Sequence, residues 1–190
     1  MRRVLVLVLA VVIAAGWRIL NVRHGLPGVE LLTAMSFAAV ILVRSPAAAL
    51  VPLVAAAASD LFLGVSDVQL FTLSAWLVTG YVGHHLARGG RVGGAVSIGF
   101  ATFSSFWFYL WTNAGVWLVG RGHFYSAGLG GLVDSWVAGL PFLRNALVVN
   151  LIVVPVVTYL ARQVDQQRCA TSFAVPTFRR SPHTTGARVA

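Results

Sequence analysis

The sequence predicts an all-α integral membrane protein, a bundle of six transmembrane helices. Three observations predict it. Of 190 residues, 58% are hydrophobic and only 10% charged, with a mean hydropathy of +0.83, whereas soluble domains carry about 25% charged residues. The apolar residues gather into stretches long enough to cross a hydrocarbon core of about 30 Å. The formal charge of +9 is carried by arginine alone and is unevenly spread along the chain.

The first stretch, 4–20, follows Met1-Arg2-Arg3. Ala14-Ala15-Gly16 could mark a signal-peptide cleavage site, but a chain with several spans usually keeps such a segment as its first span, which is the reading favoured here. Further spans are expected at 29–43, 46–64, 69–87 and 94–118, and a last one at 141–161. Between the last two lies "GRGHFYSAGLGGLVDSWVAGL". Its glycines and Asp134 make it a poor span, so it reads as a loop and a short extra helix, 131–140. Pro141 would then open the last helix, where its missing N–H is harmless. Residues 1–161 form one transmembrane domain. Residues 162–190 are polar, Arg-rich and broken by Pro176 and Pro182, and read as a disordered cytoplasmic tail.

Six spans place both termini on one side. With that side cytoplasmic, ten arginines lie inside and Arg18, Arg23, Arg121 and Arg144 outside, as the positive-inside rule requires. Glu30, Asp60, Asp67 and Asp134 fall on the outer side. Nucleic-acid binding is excluded by the hydrophobicity, despite the basic charge. Cys169 is the only cysteine, so neither an internal disulfide nor a cysteine-based metal site is possible. No metal or cofactor is expected. His84 and His85 are adjacent and point about 100° apart on a helix, with no third ligand in view.

At about 1.5 Å per helical residue, Arg18, Asp60, Asn113, Arg144 and Asn145 share one outer depth. Groups of this kind inside spans usually face a bundle interior or a wet cavity. The run "SSFWFYLWTNAGVW", 104–117, gathers six aromatic rings around Asn113 at the outer part of its span. A pocket open to the outside follows, with Trp107, Trp111 and Trp117 as stacking rings and Asp60, Asn113, Arg144 and Asn145 as polar contacts. Two plainer readings stand beside it. The tryptophans can be an interfacial belt, and Asp60 can pair with Arg144 or Arg18 to fix packing. Glu30 and Asp134 read as loop or interface residues. There is no phosphate-binding G-x-x-x-x-G-K-[ST], no H-E-x-x-H and no G-x-S-x-G, and Ser104, Ser105 and Ser135 have no nearby His or Lys in sequence to activate them, so an enzyme is not expected.

"AAAASDLFLG" (55–64), "TNAGVWLVG" (112–120) and "AGLGGLVDSWVAGLPFLRNALVVNLI" (127–152) together resemble a bacterial family described as transport proteins. That family looks like the substrate-binding S components of energy-coupling factor (ECF) vitamin transporters. Ser59, Asp60, Leu61 and Gly64 match one motif, and Pro141, Phe142, Arg144 and Asn145 the other. The resemblance implies a six-helix subunit of the bacterial plasma membrane that binds a vitamin-like small molecule from outside. Its partners would be membrane lipids, a transmembrane coupling subunit and two cytoplasmic ATPases. It also implies docking through small residues in the first span, matched by Ala10 and Ala14; packing within the chain is the competing reading. Signatures of riboflavin, thiamine or biotin binders are missing. The alternatives are a membrane scaffold subunit and an intramembrane enzyme. A scaffold should have a closed interior with paired charges, a binder an outward cavity of a few hundred Å³.

Overall fold

The computed structural model describes residues 1–25, 28–89 and 92–173, with side chains described as far as residue 167. The described residues form six α-helices: α1 (Arg2–His24), α2 (Leu32–Val43), α3 (Val51–Leu63), α4 (Gln69–Arg88), α5 (Gly94–Gly120) and α6 (Leu129–Phe173). A 3₁₀ turn, Pro46–Leu50, leads into α3. Arg2–His24, Pro46–Leu63 and Leu129–Gln167 are long and apolar enough to cross a membrane.

Local chemistry sets the ends. Gly25 closes α1 in the left-handed region (φ 64°), its N–H bonded to the carbonyls of Asn21 and Val22, a position that glycine occupies without a Cβ penalty. Ser45 accepts from the Ala47 N–H at 3.4 Å and Pro46 opens the 3₁₀ turn, where a proline's missing donor costs nothing.

α2 is the hub. It packs against all five other helices, and nine of its 12 residues are buried. A helix apolar on every side is stable only when surrounded. Phe37 of α2 stacks on Phe100 of α5, centroids 4.4 Å apart. Gly83 of α4 makes room for that pair, since a Cβ there would lie 3.0 Å from the Phe100 ring.

α1 lies on α2 and α3 through small residues. Ala10 packs with Val40, Val43 and Val51, and Ala14 with Leu32, Ala55 and Ala56. This corrects the docking expectation for Ala10 and Ala14. Both are buried, at 7% and 0% exposure, because the small stripe lets the helices of this chain approach closely, and neither is presented to a partner.

α6 brings a second correction. The expected short helix 131–140 and the last span are one continuous helix containing Pro141 and Pro155. A proline interior to a helix forfeits one backbone bond, and neighbouring helices can compensate for that. At about 1.5 Å per residue, 45 residues reach about 68 Å, over twice the hydrocarbon thickness. The helix also runs through 162–173, the start of the predicted tail; the rest of that tail lies outside the described residues.

The bundle has two chemically distinct ends. One holds Arg18, Glu30 and Asp60 with the α1–α2 and α3–α4 connections. The other holds Arg2, Arg3, Arg44, Arg88 and Arg162, with Asp165.

Candidate functional site: a polar-floored cavity between α1, α2, α4, α5 and α6

A cavity of about 670 Å³ opens at the first end. Its apolar walls include Phe108, Val116, Phe142 and Leu143, and Trp76 of α4 lies tilted against Phe108 at 4.6 Å. Its polar lining comes from Asn21, Glu30, Thr33, Thr72, Ser104, Ser105, Tyr109, Thr112, Asn113 and Asn150. Aromatic walls with a few convergent polar groups are the usual make-up of a small-molecule site, and the volume lies in the usual range.

The hydroxyl groups are mostly engaged within their own helices. Thr112 donates to the Phe108 carbonyl at 2.7 Å, Ser104 and Ser105 to that of Ala101 at 3.1 and 2.9 Å. Tyr109 donates to the Trp136 carbonyl at 2.5 Å, tying α5 to α6. Asn150 donates through Nδ2 to Ser105 Oγ at 3.0 Å.

Four other polar atoms have no hydrogen-bond partner though buried: Asn21 Oδ1, Glu30 Oε2, Trp76 Nε1 and Asn150 Oδ1. They come from α1, the α1–α2 connection, α4 and α6, and all four residues line this one cavity. A buried polar atom without a partner costs about 1–3 kcal/mol, so four around one cavity call for a ligand or ordered water. Three of the four are acceptors and one, the indole N–H, is a donor. Glu30 is the only formally charged residue in the lining among the described residues. Burial pushes its carboxyl up to about 7, against the opposing pull of Arg18, with a smaller push from Asp60.

Of the residues predicted for this site, Asn113 lines the cavity. Its Nδ2 donates to the Tyr109 carbonyl at 2.8 Å. Its side chain lies directly over Gly139 of α6, where a Cβ would come within 2.6 Å. The three tryptophans are placed elsewhere. Trp107 donates to the Ala75 carbonyl at 3.2 Å and Trp111 to Ser74 Oγ at 2.9 Å. Their rings stack on each other, 5.4 Å apart, and fasten α5 to α4. Trp117 donates to the Ser126 carbonyl at 3.0 Å and braces the α5–α6 connection.

Asp60 is buried outside the cavity lining, in an ion pair with Arg18 of α1. The same guanidinium donates to Ala56 O at 3.1 Å and Ser59 Oγ at 2.5 Å, and Gln69 of α4 donates to the other Asp60 oxygen at 3.2 Å. Of the two partners foreseen for Asp60, Arg18 holds it. Arg144 is exposed on α6 and Asn145 half-buried against Gly28; neither lines the cavity.

The polar lining residues that the sequence reading missed are Asn21, Glu30, Thr33, Thr72, Ser104, Ser105, Tyr109, Thr112 and Asn150, together with the Trp76 indole. Glu30 and Asn150 carried a signal, as polar groups at the outer start of the second expected span and about one and a half turns below Asn145 in the last. Asn21 lies three residues beyond Arg18, on the same face of α1. Among the described residues no three His, Cys, Asp or Glu side chains gather as a metal site.

No curated protein and no solved structure matches the chain. Residues 1–171 match a family profile described as a family of unknown function, DUF6580, and the chain belongs to that family.

Proposed function

We propose that this protein binds a small molecule in the 670 Å³ cavity and is the substrate-binding membrane subunit of an uptake transporter. The observation that carries the reading is the convergence of four unpartnered buried polar atoms on one aromatic-walled cavity. Among the described residues the lining has one carboxyl, no cationic side chain and a majority of acceptors among its unpartnered buried atoms. A neutral or cationic ligand follows, flat enough to lie against the Trp76–Phe108 pair and Phe142, with hydrogen-bond donors on its edge. An open cavity with unsatisfied groups favours a binder over a scaffold with a closed, paired interior.

The resemblance of 55–64, 112–120 and 127–152 to S components extends the reading to an ECF-type system. There a coupling subunit and two ATPases would supply the energy, since this chain has no phosphate-binding loop. The arginine distribution supports six spans in the bacterial plasma membrane, with the cavity facing outward and both termini cytoplasmic. In a Cys169→Ser background, Ser126→Cys should be labelled by an impermeant thiol reagent from outside and Ala47→Cys only after permeabilisation. Equal labelling of both from outside would contradict this orientation.

Mass spectrometry of small molecules extracted from the protein purified in mild detergent tests the binding reading. A single compound bound at up to one equivalent is expected. Its absence from preparations that remain folded, together with no binding across a panel of heterocyclic amines, would refute the reading. With that compound in hand, Trp107→Phe and Trp111→Phe should change affinity by no more than about twofold, because their indoles bond to α4. Each should lower stability by about 1 kcal/mol for the lost hydrogen bond. Trp76→Phe, which removes the donor in the cavity, should weaken binding by roughly three- to tenfold.

A further inference from the structure

At the opposite, arginine-rich end of the bundle lies a second cavity of about 320 Å³, between the C-terminal ends of α2 and α4 and the distal part of α6. Its polar lining is Arg44, His84, Arg88, Arg162 and Asp165. One carboxylate therefore faces three guanidinium groups. That carboxylate is taken: Arg44 Nη2 and Asp165 Oδ2 are 2.5 Å apart. Arg88 and Arg162 have no ion-pair partner among the described residues. His84 closes the inner side. It is 7% exposed, and its Nδ1 is buried with no hydrogen-bond partner.

Arg44 adds a separate sign. It ends α2 in the left-handed region, at φ 52°, and among the described residues it is the only residue other than glycine with a positive φ. A residue with a Cβ costs about 1–2 kcal/mol in that conformation, and glycine would form the same cap without it. What the arginine adds is its side chain at the cavity mouth.

We infer that this cavity binds a phosphate group, held by Arg88 and Arg162 with Arg44 at the rim and the His84 imidazole beneath. Guanidinium forks match phosphate oxygens two at a time, and a bound anion would neutralise the local excess of positive charge. Asp165 stays on Arg44, which keeps the carboxylate off the anion. Two sources carry this chemistry: the headgroup of an anionic phospholipid, and a soluble phosphate compound.

Thermal unfolding of the full chain in lipid nanodiscs separates them. One arm replaces a third of the phosphatidylcholine with phosphatidylglycerol at constant salt. The other titrates inorganic phosphate into pure phosphatidylcholine discs, with chloride at matched ionic strength. The wild type is expected to gain in melting temperature in at least one arm. In Arg88→Gln/Arg162→Gln that gain should be lost, or need about tenfold more anion or beyond. Arg2→Gln/Arg3→Gln, the same charge change at the same end but outside the cavity, should keep it. A gain in the lipid arm alone assigns the headgroup, and in the phosphate arm alone a soluble compound. No gain in either arm, or a gain that survives in Arg88→Gln/Arg162→Gln, overturns the inference.

Discussion

Asp60→Ala is expected to destabilise the protein by about 3–5 kcal/mol, the usual cost of stranding one member of a buried ion pair. Asp60 is 6% exposed and pairs with an Arg18 side chain that is itself only 17% exposed. The pair also organises its surroundings. Arg18 bonds Ala56 O and Ser59 Oγ near the end of α3, and Gln69 reaches Asp60 from α4. Without the carboxylate, the guanidinium keeps its desolvation cost and loses its counter-charge, and the joint between α1, α3 and α4 loosens. The double variant Arg18→Leu/Asp60→Leu should recover much of the loss, because apolar residues of similar volume often replace a buried pair at little cost. Unfolding in mixed detergent, read by helical circular dichroism, measures both. An Asp60→Ala variant as stable as the wild type would show that the pair contributes nothing.

Glu30→Gln is expected to weaken ligand binding by about 1.5–3 kcal/mol, the range for a hydrogen bond to a charged group. Because burial raises the Glu30 carboxyl from 4.5 to about 7, wild-type affinity for a donor or cationic ligand should rise as pH passes upward through about 7. The ligand's own titration would appear in both proteins, so the part missing from Glu30→Gln belongs to Glu30. The ligand-free protein should behave oppositely. Between pH 4.5 and about 7 the folded state holds a proton that the unfolded state has released, so stability falls as pH rises across that window. Glu30→Gln should flatten this slope. Parallel pH profiles for wild type and variant, in both binding and stability, would place Glu30 outside the site's chemistry.

The helices were legible in the sequence because apolar runs and the Gly, Pro and Arg between them are local signals. α3, α4 and α5 end within two residues of the expected positions. α6 was not legible as one helix. Gly131, Gly139 and Pro141 look like breaks, yet Gly131 is where the helix meets the Ser126 carbonyl, 2.1 Å from a would-be Cβ, and Gly139 receives Asn113. Those roles depend on neighbours far along the chain. The partner of Asp60 was half legible. Ala14 and Ala56 belong to one core cluster in the α1–α3 seam, and one turn further along each helix stand Arg18 and Asp60, so the small-residue stripe predicts the pair once the seam is known. The cavity was legible only at Asn113. Sequence depth could place rings and amides in the outer part of their spans, but which face of α5 meets α4 is a packing outcome. It turned Trp107 and Trp111 into fasteners and left Trp76, Tyr109 and Asn150 to line the cavity.

The central claim is that the 670 Å³ cavity is a ligand site. Its most direct test is native mass spectrometry of the purified protein and of Ala146→Trp, which places an indole in the cavity from α6 without touching the Arg18–Asp60 joint. A bound small molecule is expected on the wild type, and its loss from Ala146→Trp at unchanged helical content. A compound retained at the same occupancy by a folded Ala146→Trp would contradict it.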